Sequence, residues 1–158
     1  MTEGQTNSKP LEILVVEDDK AVRSIFSEII SMTGANVTSA EDGADALAHY
    51  FARLKEGKPY DAVITDLVMP KIDGAIVTQV VKLVSPYTQV IVITGDEHNS
   101  QYRGLSERLV SAKPDGILQK PIEAEDLTFV VDRINFVKEK RDIEPTYMPE
   151  PALYKRAA

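Results

Sequence analysis

The sequence predicts an α/β fold: five parallel strands in one sheet, with helices covering both faces. Three observations lead there. Short apolar runs rich in β-branched residues alternate with longer segments of helical periodicity, five times over. The runs are apolar on consecutive positions rather than on alternate ones, as strands buried on both faces require. The chain has 158 residues and is 43% apolar, enough for one real core.

The elements follow in order. After a polar leader, residues 1–10, closed by Pro10, "LEILVV" is a buried strand that stops abruptly at "EDD". From Lys20, the residues Ala21, Val22, Ile25, Phe26, Ile29 and Ile30 recur at helical spacing, and Gly34 stands at the C′ position. "ANVTSA" is the second strand and "DGADALAHYFARLKEG" the second helix, ending near Gly57. "DAVITD" is the third strand, and "AIVTQVVKLV" a short helix closed by "SPY". "QVIVITGD" is the fourth strand; "SQYRGLSERLVSA" is a helix weakened by Gly104. "GILQKP" is a short fifth strand, and "EAEDLTFVVDRINFVKEKRD" a closing helix with Leu127, Val130, Val131, Ile134 and Val137 on one face. The domain therefore spans 11–141. Three prolines in the tail, 142–158, forbid a continuing helix. The tail is read most simply as a disordered extension. The alternative is that Tyr147, Met148, Leu153 and Tyr154 dock elsewhere or fold back on the domain.

Composition narrows the function. A formal charge of -7 argues against direct nucleic-acid binding, which needs a basic face. There is no Cys, hence no disulfide and no thiolate metal site, as fits a reducing cytoplasm. The N-terminal ten residues lack the apolar stretch of a signal peptide, and no run approaches the roughly 20 apolar residues that span a bilayer. The expectation is an acidic cytoplasmic protein with no membrane insertion.

In open α/β sheets, ligands bind beyond the carboxyl ends of the strands. Those ends carry Glu17, Asp18 and Asp19 after the first strand and Asp66 after the third. Thr94 and Gly95 follow the fourth, and Lys120 with Pro121 the fifth. Asp19 also fits a helix N-cap just before Lys20. Converging carboxylates of Glu17, Asp18 and Asp66 would repel unless a cation intervenes, and Mg²⁺ suits such an oxygen set. A carboxylate beside Mg²⁺ can attack phosphorus and form an acyl phosphate. Lys120 adds a second positive point, the Thr94 hydroxyl a hydrogen bond to a phosphoryl oxygen, and Gly95 leaves room beside it. Asp66, placed at the end of a run that wants burial, stands where a charge is used.

Together "ILVVEDDKAVR", "DAVITDLVMPKIDG", "VIVITGD" and "LQKPI", in this order, resemble the receiver domain of two-component response regulators, the CheY-like family, over about residues 10–140. The resemblance implies a flavodoxin-like, doubly wound five-stranded sheet of order 2-1-3-4-5. It implies Asp66 as phospho-acceptor, with Glu17, Asp18, Asp66 and the backbone carbonyl of Val68 holding Mg²⁺. Thr94 becomes the switch hydroxyl and Lys120 the phosphate partner, followed by a cis bond to Pro121. Met69, Pro70 and Gly74 match the loop after the acceptor. The implied partner is a histidine kinase or histidine phosphotransfer protein, and the implied state a monomer or weak homodimer. The implied role is a switch rather than an enzyme, with at most self-catalysed phosphotransfer and dephosphorylation.

Three residues or segments depart from the family pattern. Glu17 stands where Asp is commoner, Ile117 where an aromatic usually partners the switch Thr, and the segment from Thr94 to Lys120 is about four residues longer than usual. The last two raise a receiver-like module that binds partners without phosphorylation, and the chain's length allows a receiver cut from a larger regulator. A phosphatase of the haloacid dehalogenase type would need a second acid two residues after its nucleophile, where Val68 stands. His49 reads as a partly exposed helical residue, and His98 lies in the loop after the fourth strand, near the expected site; Asp96 and Val68 are positions expected to tune the phosphoryl lifetime.

Overall fold

The computed structural model describes residues 9–95 and 103–154; most of the predicted leader, Asp96, His98 and the last four residues lie outside the described residues. The elements are β1 (Glu12–Val16), α1 (Lys20–Met32), β2 (Asn36–Ala40), α2 (Gly43–Lys55), β3 (Ala62–Asp66), α3 (Gly74–Val84), β4 (Gln89–Thr94), α4 (Arg103–Ala112), β5 (Gly116–Gln119), α5 (Ala124–Ile143) and β6 (Ala152–Tyr154). All pairings are parallel, and the sheet order is β2-β1-β3-β4-β5-β6.

The period of two along each strand sorts side chains onto two faces, as the predicted double layer requires. Leu14, Val16, Val63, Val90 and Val92 join Tyr50, Val77, Val81, Leu105 and Leu109 on the side of α2, α3 and α4. Their sequence neighbours Ile13, Val15, Ile64, Ile91 and Ile93 join Phe26, Ile30, Leu127, Val130 and Ile134 beneath α1 and α5. Each such side chain, fully buried, contributes about 1.5–3 kcal/mol. Burial on both faces is why the central strands read as unbroken apolar runs.

Helix ends follow their local chemistry. Asp19, Asp42 and Asp73 cap α1, α2 and α3 through side-chain acceptors on the first-turn N–H groups. Gly34 and Gly57 take positive φ values of 94° and 70° just past α1 and α2.

The sheet exceeds the predicted five strands by one. Residues 152–154 do not continue away from the domain but pair with β5, so the tail takes the second course open to it and folds back on the domain. It returns along α5: the Arg141 Nε–H donates to the Tyr147 carbonyl at 3.1 Å and the Arg133 guanidinium to the Glu150 carbonyl at 2.7 Å. Backbone groups on the β5 edge, open in a five-stranded sheet, find partners in this segment.

Candidate functional site

The parallel sheet brings the ends of β1, β3, β4 and β5 to one rim. Asp66 is the last residue of β3, 5% exposed; its Oδ1 accepts the Leu67 N–H at 2.9 Å. Its Oδ2 lies 3.2 Å from the Lys120 Nζ. Lys120 follows β5, and its backbone N–H donates to the Thr94 carbonyl at 2.8 Å, so the lysine is held in register against the end of β4. Thr94 itself is buried, and Gly95 lies beside Lys120: a Cβ built there would meet the lysine Cδ at 3.9 Å. The Lys120–Pro121 bond is cis, as the resemblance implied.

Glu17 and Asp18 arrive from the end of β1. One oxygen from each of Glu17, Asp18 and Asp66 falls within 4.8 Å of the others. Glu17 is buried and Asp18 exposed. The Asp19 N–H donates to Glu17 Oε1 at 3.0 Å, while Asp19 itself turns to cap α1, as its position before Lys20 suggested. Arg23, one turn into α1, donates to the carbonyls of Glu17 at 2.7 Å and Asp18 at 3.3 Å, fixing the acidic turn. Arg23 closes the "EDDKAVR" motif, but sequence reasoning gives it no role; its spacing from the acids on the following helix is the signal that could have found it.

The electrostatics are those of a site that wants a cation. Burial drives the Glu17 carboxyl up to about 7, and the nearby Asp66 charge adds to the rise, against the Asp19 N–H. Asp66 is raised as well: burial outweighs the opposing charge and hydrogen bond of Lys120. Glu17 Oε2 is buried without a hydrogen-bond partner. A buried carboxyl with one orphaned oxygen, grouped with two more carboxyls, fits a hard divalent ion held through oxygens. The residues open on a cleft of about 580 Å³ bordered by Val22, Phe26, Pro121 and Ile122.

The loop after Asp66 is clamped on both sides. The Gly74 N–H donates to the Leu67 carbonyl at 2.8 Å, and a Cβ at Gly74 would sit 2.2 Å from the Asp66 carbonyl oxygen. Lys71 takes φ 66° and reaches the Asp42 carboxylate at 2.6 Å, holding the Asp42 carboxyl below its usual range. Asp73 pairs with Arg108 of α4 at 2.9 Å. Val68, in this loop, is half-buried against the α2–α3–α4 layer, as is Ile117 on β5. His49 stands 3.5 Å from Asp45 on α2, at the helix surface and away from the rim. No described helix is long and apolar enough to cross a membrane.

The sequence model of the response regulator receiver domain matches residues 13–132. The transcription factor SKN7 of Candida albicans is 32% identical over 85% of this chain and 23% of its own length. The response regulator MprA of Mycobacterium sp. strain KMS is 33% identical over 75% of this chain and 47% of its own. The chain thus spans between about a quarter and a half of these relatives. Among solved structures, a response regulator receiver domain protein from Clostridium thermocellum superposes with a TM-score of 0.66 at 24% identity, over 84% of this chain and 98% of that one. A CheY-like receiver domain protein from Methanospirillum hungatei gives 0.69 at 20% identity, over 84% and 99%.

Proposed function

The chain belongs to the response regulator receiver family, and from that premise we propose that it is a switch set by phosphorylation of Asp66. The observation that carries the reading is the Asp66 carboxylate, held at a cleft 3.2 Å from the Lys120 ammonium and beside the carboxyls of Glu17 and Asp18. The donor is a histidine kinase or a histidine phosphotransfer protein. An Asp66 oxygen forms the bond to phosphorus as the bond to the donor's imidazole nitrogen breaks, and that nitrogen leaves with the electron pair.

Glu17, Asp18, Asp66 and the Val68 carbonyl are the residues that would hold Mg²⁺, which supplies neutralisation of the negative charge gathered at the site. Lys120 pairs with the incoming phosphoryl oxygens, and Thr94 gives them a hydroxyl hydrogen bond. Phosphorylation turns the singly charged Asp66 carboxylate into an acyl phosphate that carries close to two negative charges on its phosphoryl oxygens. Thr94 and Lys120, drawn toward that charge, shift the surface formed by α4, β5 and α5, where a partner protein reads the state. The chain acts as a cytoplasmic switch, a monomer or weak homodimer, and not as a turnover enzyme: Val68 stands where a phosphatase of related chemistry carries its general acid.

Both relatives are longer than this chain, so a receiver portion of a larger regulator is the second reading, favoured by the 23% and 47% of their lengths that match. Incubation with acetyl phosphate and Mg²⁺, followed by intact mass, tests the principal reading. One added phosphoryl group, lost in Asp66→Asn, supports it. An unchanged mass supports instead a module that binds partners without phosphorylation.

A further inference from the structure

Nothing in the local sequence makes a strand of "ALY". The three residues follow Pro151 and are too short to hold extended structure alone. Their conformation comes from what they lie on, and that surface is shaped in four places. The register sets Ala152 opposite Gly116, Leu153 opposite Ile117 and Tyr154 opposite Leu118. The Ala152 N–H donates to the Asp115 carbonyl at 2.9 Å. The Tyr154 ring fills the space that a side chain at Gly116 would take: a Cβ there would stand 2.5 Å from Tyr154 Cε2 and 2.9 Å from Ile91 Cδ1. Phe129 of α5 closes the slot edge-on, its ring centroid 5.8 Å from that of Tyr154. Arg133, one turn further along α5, grips the Glu150 carbonyl at 2.7 Å.

The occupant fits this groove incompletely. The Tyr154 hydroxyl is buried with no hydrogen-bond partner, a burden on the bound state, and Leu153 is 55% exposed. A phenylalanine would fill the slot without the orphaned hydroxyl. The groove is thus better built than the segment now in it.

We propose that the edge of β5 together with α5 is an acceptor groove for an extended peptide strand, filled in cis by residues 144–154 and open to a partner strand when they release it. The partner is an extended segment whose small residue lies over Gly116 and whose aromatic, two residues later, enters the slot against Phe129. Backbone pairing with β5 gives affinity, and the Gly116 slot and the Arg133 clamp give selectivity. The cis segment sets the threshold, because a tethered competitor acts at high effective concentration. The groove stands whether or not Asp66 accepts phosphate.

The probe is a fluorescein-labelled peptide of residues 144–158, with a second version carrying Phe in place of Tyr154, titrated by anisotropy against full-length chains. Ala152→Pro with Tyr154→Ala removes the cis N–H and ring, and this opened chain is expected to bind the peptide at least about tenfold tighter than wild type. The Phe peptide binds it tighter than the Tyr peptide. Gly116→Val in the opened chain abolishes binding. Arg133→Ala, a change on the helix surface, weakens it while circular dichroism and melting remain those of the opened chain. Equal binding to wild-type and opened chains, no binding to the opened chain, or indifference to both Gly116→Val and Arg133→Ala would overturn the proposal.

Discussion

Lys120 and Asp66 face each other at 3.2 Å although their strands, β5 and β3, are not neighbours: β4 runs between them. The lysine bridges this gap because its own N–H is fastened to the Thr94 carbonyl at the end of β4. Three strand ends thereby meet at one residue, its side chain on Asp66 and its backbone on Thr94. That junction is the physical basis of the proposed switch.

Replacing Lys120 by Met removes the main influence opposing burial at Asp66, so the Asp66 carboxyl rises further above its usual range. Carboxyl-carbon NMR titration should record that rise. Phosphorylation by acetyl phosphate should slow about 10²-fold, the cost typical of losing one preorganised charge at a reacting centre. An unmoved Asp66 titration would show that the ion pair is not formed in solution.

The proposed Mg²⁺ site carries a pH dependence that follows from Glu17. Its carboxyl titrates near 7 in the folded chain against an ordinary value of 4.5, so below about pH 7 a proton competes with the metal. Calorimetry should show affinity falling by up to about tenfold per pH unit below that point and levelling above it, and Glu17→Gln should flatten the profile. The same shift has a second consequence without metal. Between 4.5 and about 7 the folded chain keeps a proton that the unfolded chain has lost, so stability declines as pH rises through that window. The expected decline is about 3 kcal/mol, reduced by added Mg²⁺.

Much of this is legible in the sequence because it rests on local pattern. Consecutive apolar residues such as Val90 to Ile93 announce a strand covered on both sides, and strand-end acids announce a rim. The sixth strand is not legible: Ala152–Tyr154 carry no periodic signal, and their pairing is decided by the missing side chain at Gly116, far away in sequence. Nor can the sequence show that Glu17 Oε2 is left unpaired or that Arg108 reaches Asp73, since both depend on how distant elements settle against one another.

The opposite end of the sheet from the rim holds a second ion pair with a structural task. The Lys82 Nζ lies 2.8 Å from Asp115 Oδ2 and also donates to the carbonyls of Pro86 and Thr88. The same Asp115 oxygen accepts the Val90 N–H at 2.8 Å. Lys82→Met leaves the carboxylate largely buried with one backbone partner, and should cost about 2–3 kcal/mol in urea unfolding. A loss below about 0.5 kcal/mol would mark the pair as a solvated surface contact.

Two glycines should answer the same substitution in opposite ways. A methyl group at Gly74 would lie 2.2 Å from the Asp66 carbonyl oxygen and 2.9 Å from the Leu67 Cα, both backbone atoms with nowhere to go. Gly74→Ala must therefore push α3 away from the end of β3 and with it disturb the loop after Asp66. The expected cost is about 3 kcal/mol in thermal or urea unfolding, with slower phosphorylation of Asp66. Gly104, in the first turn of α4, meets nothing within 4 Å, and its φ is not in the left-handed region. Gly104→Ala should stabilise the chain by about 0.5 kcal/mol by favouring the helix, leaving phosphorylation unchanged. If Gly74→Ala were as harmless as Gly104→Ala, the close approach of α3 to Asp66 would not exist in solution, and the loop holding Val68 would be free of its clamp.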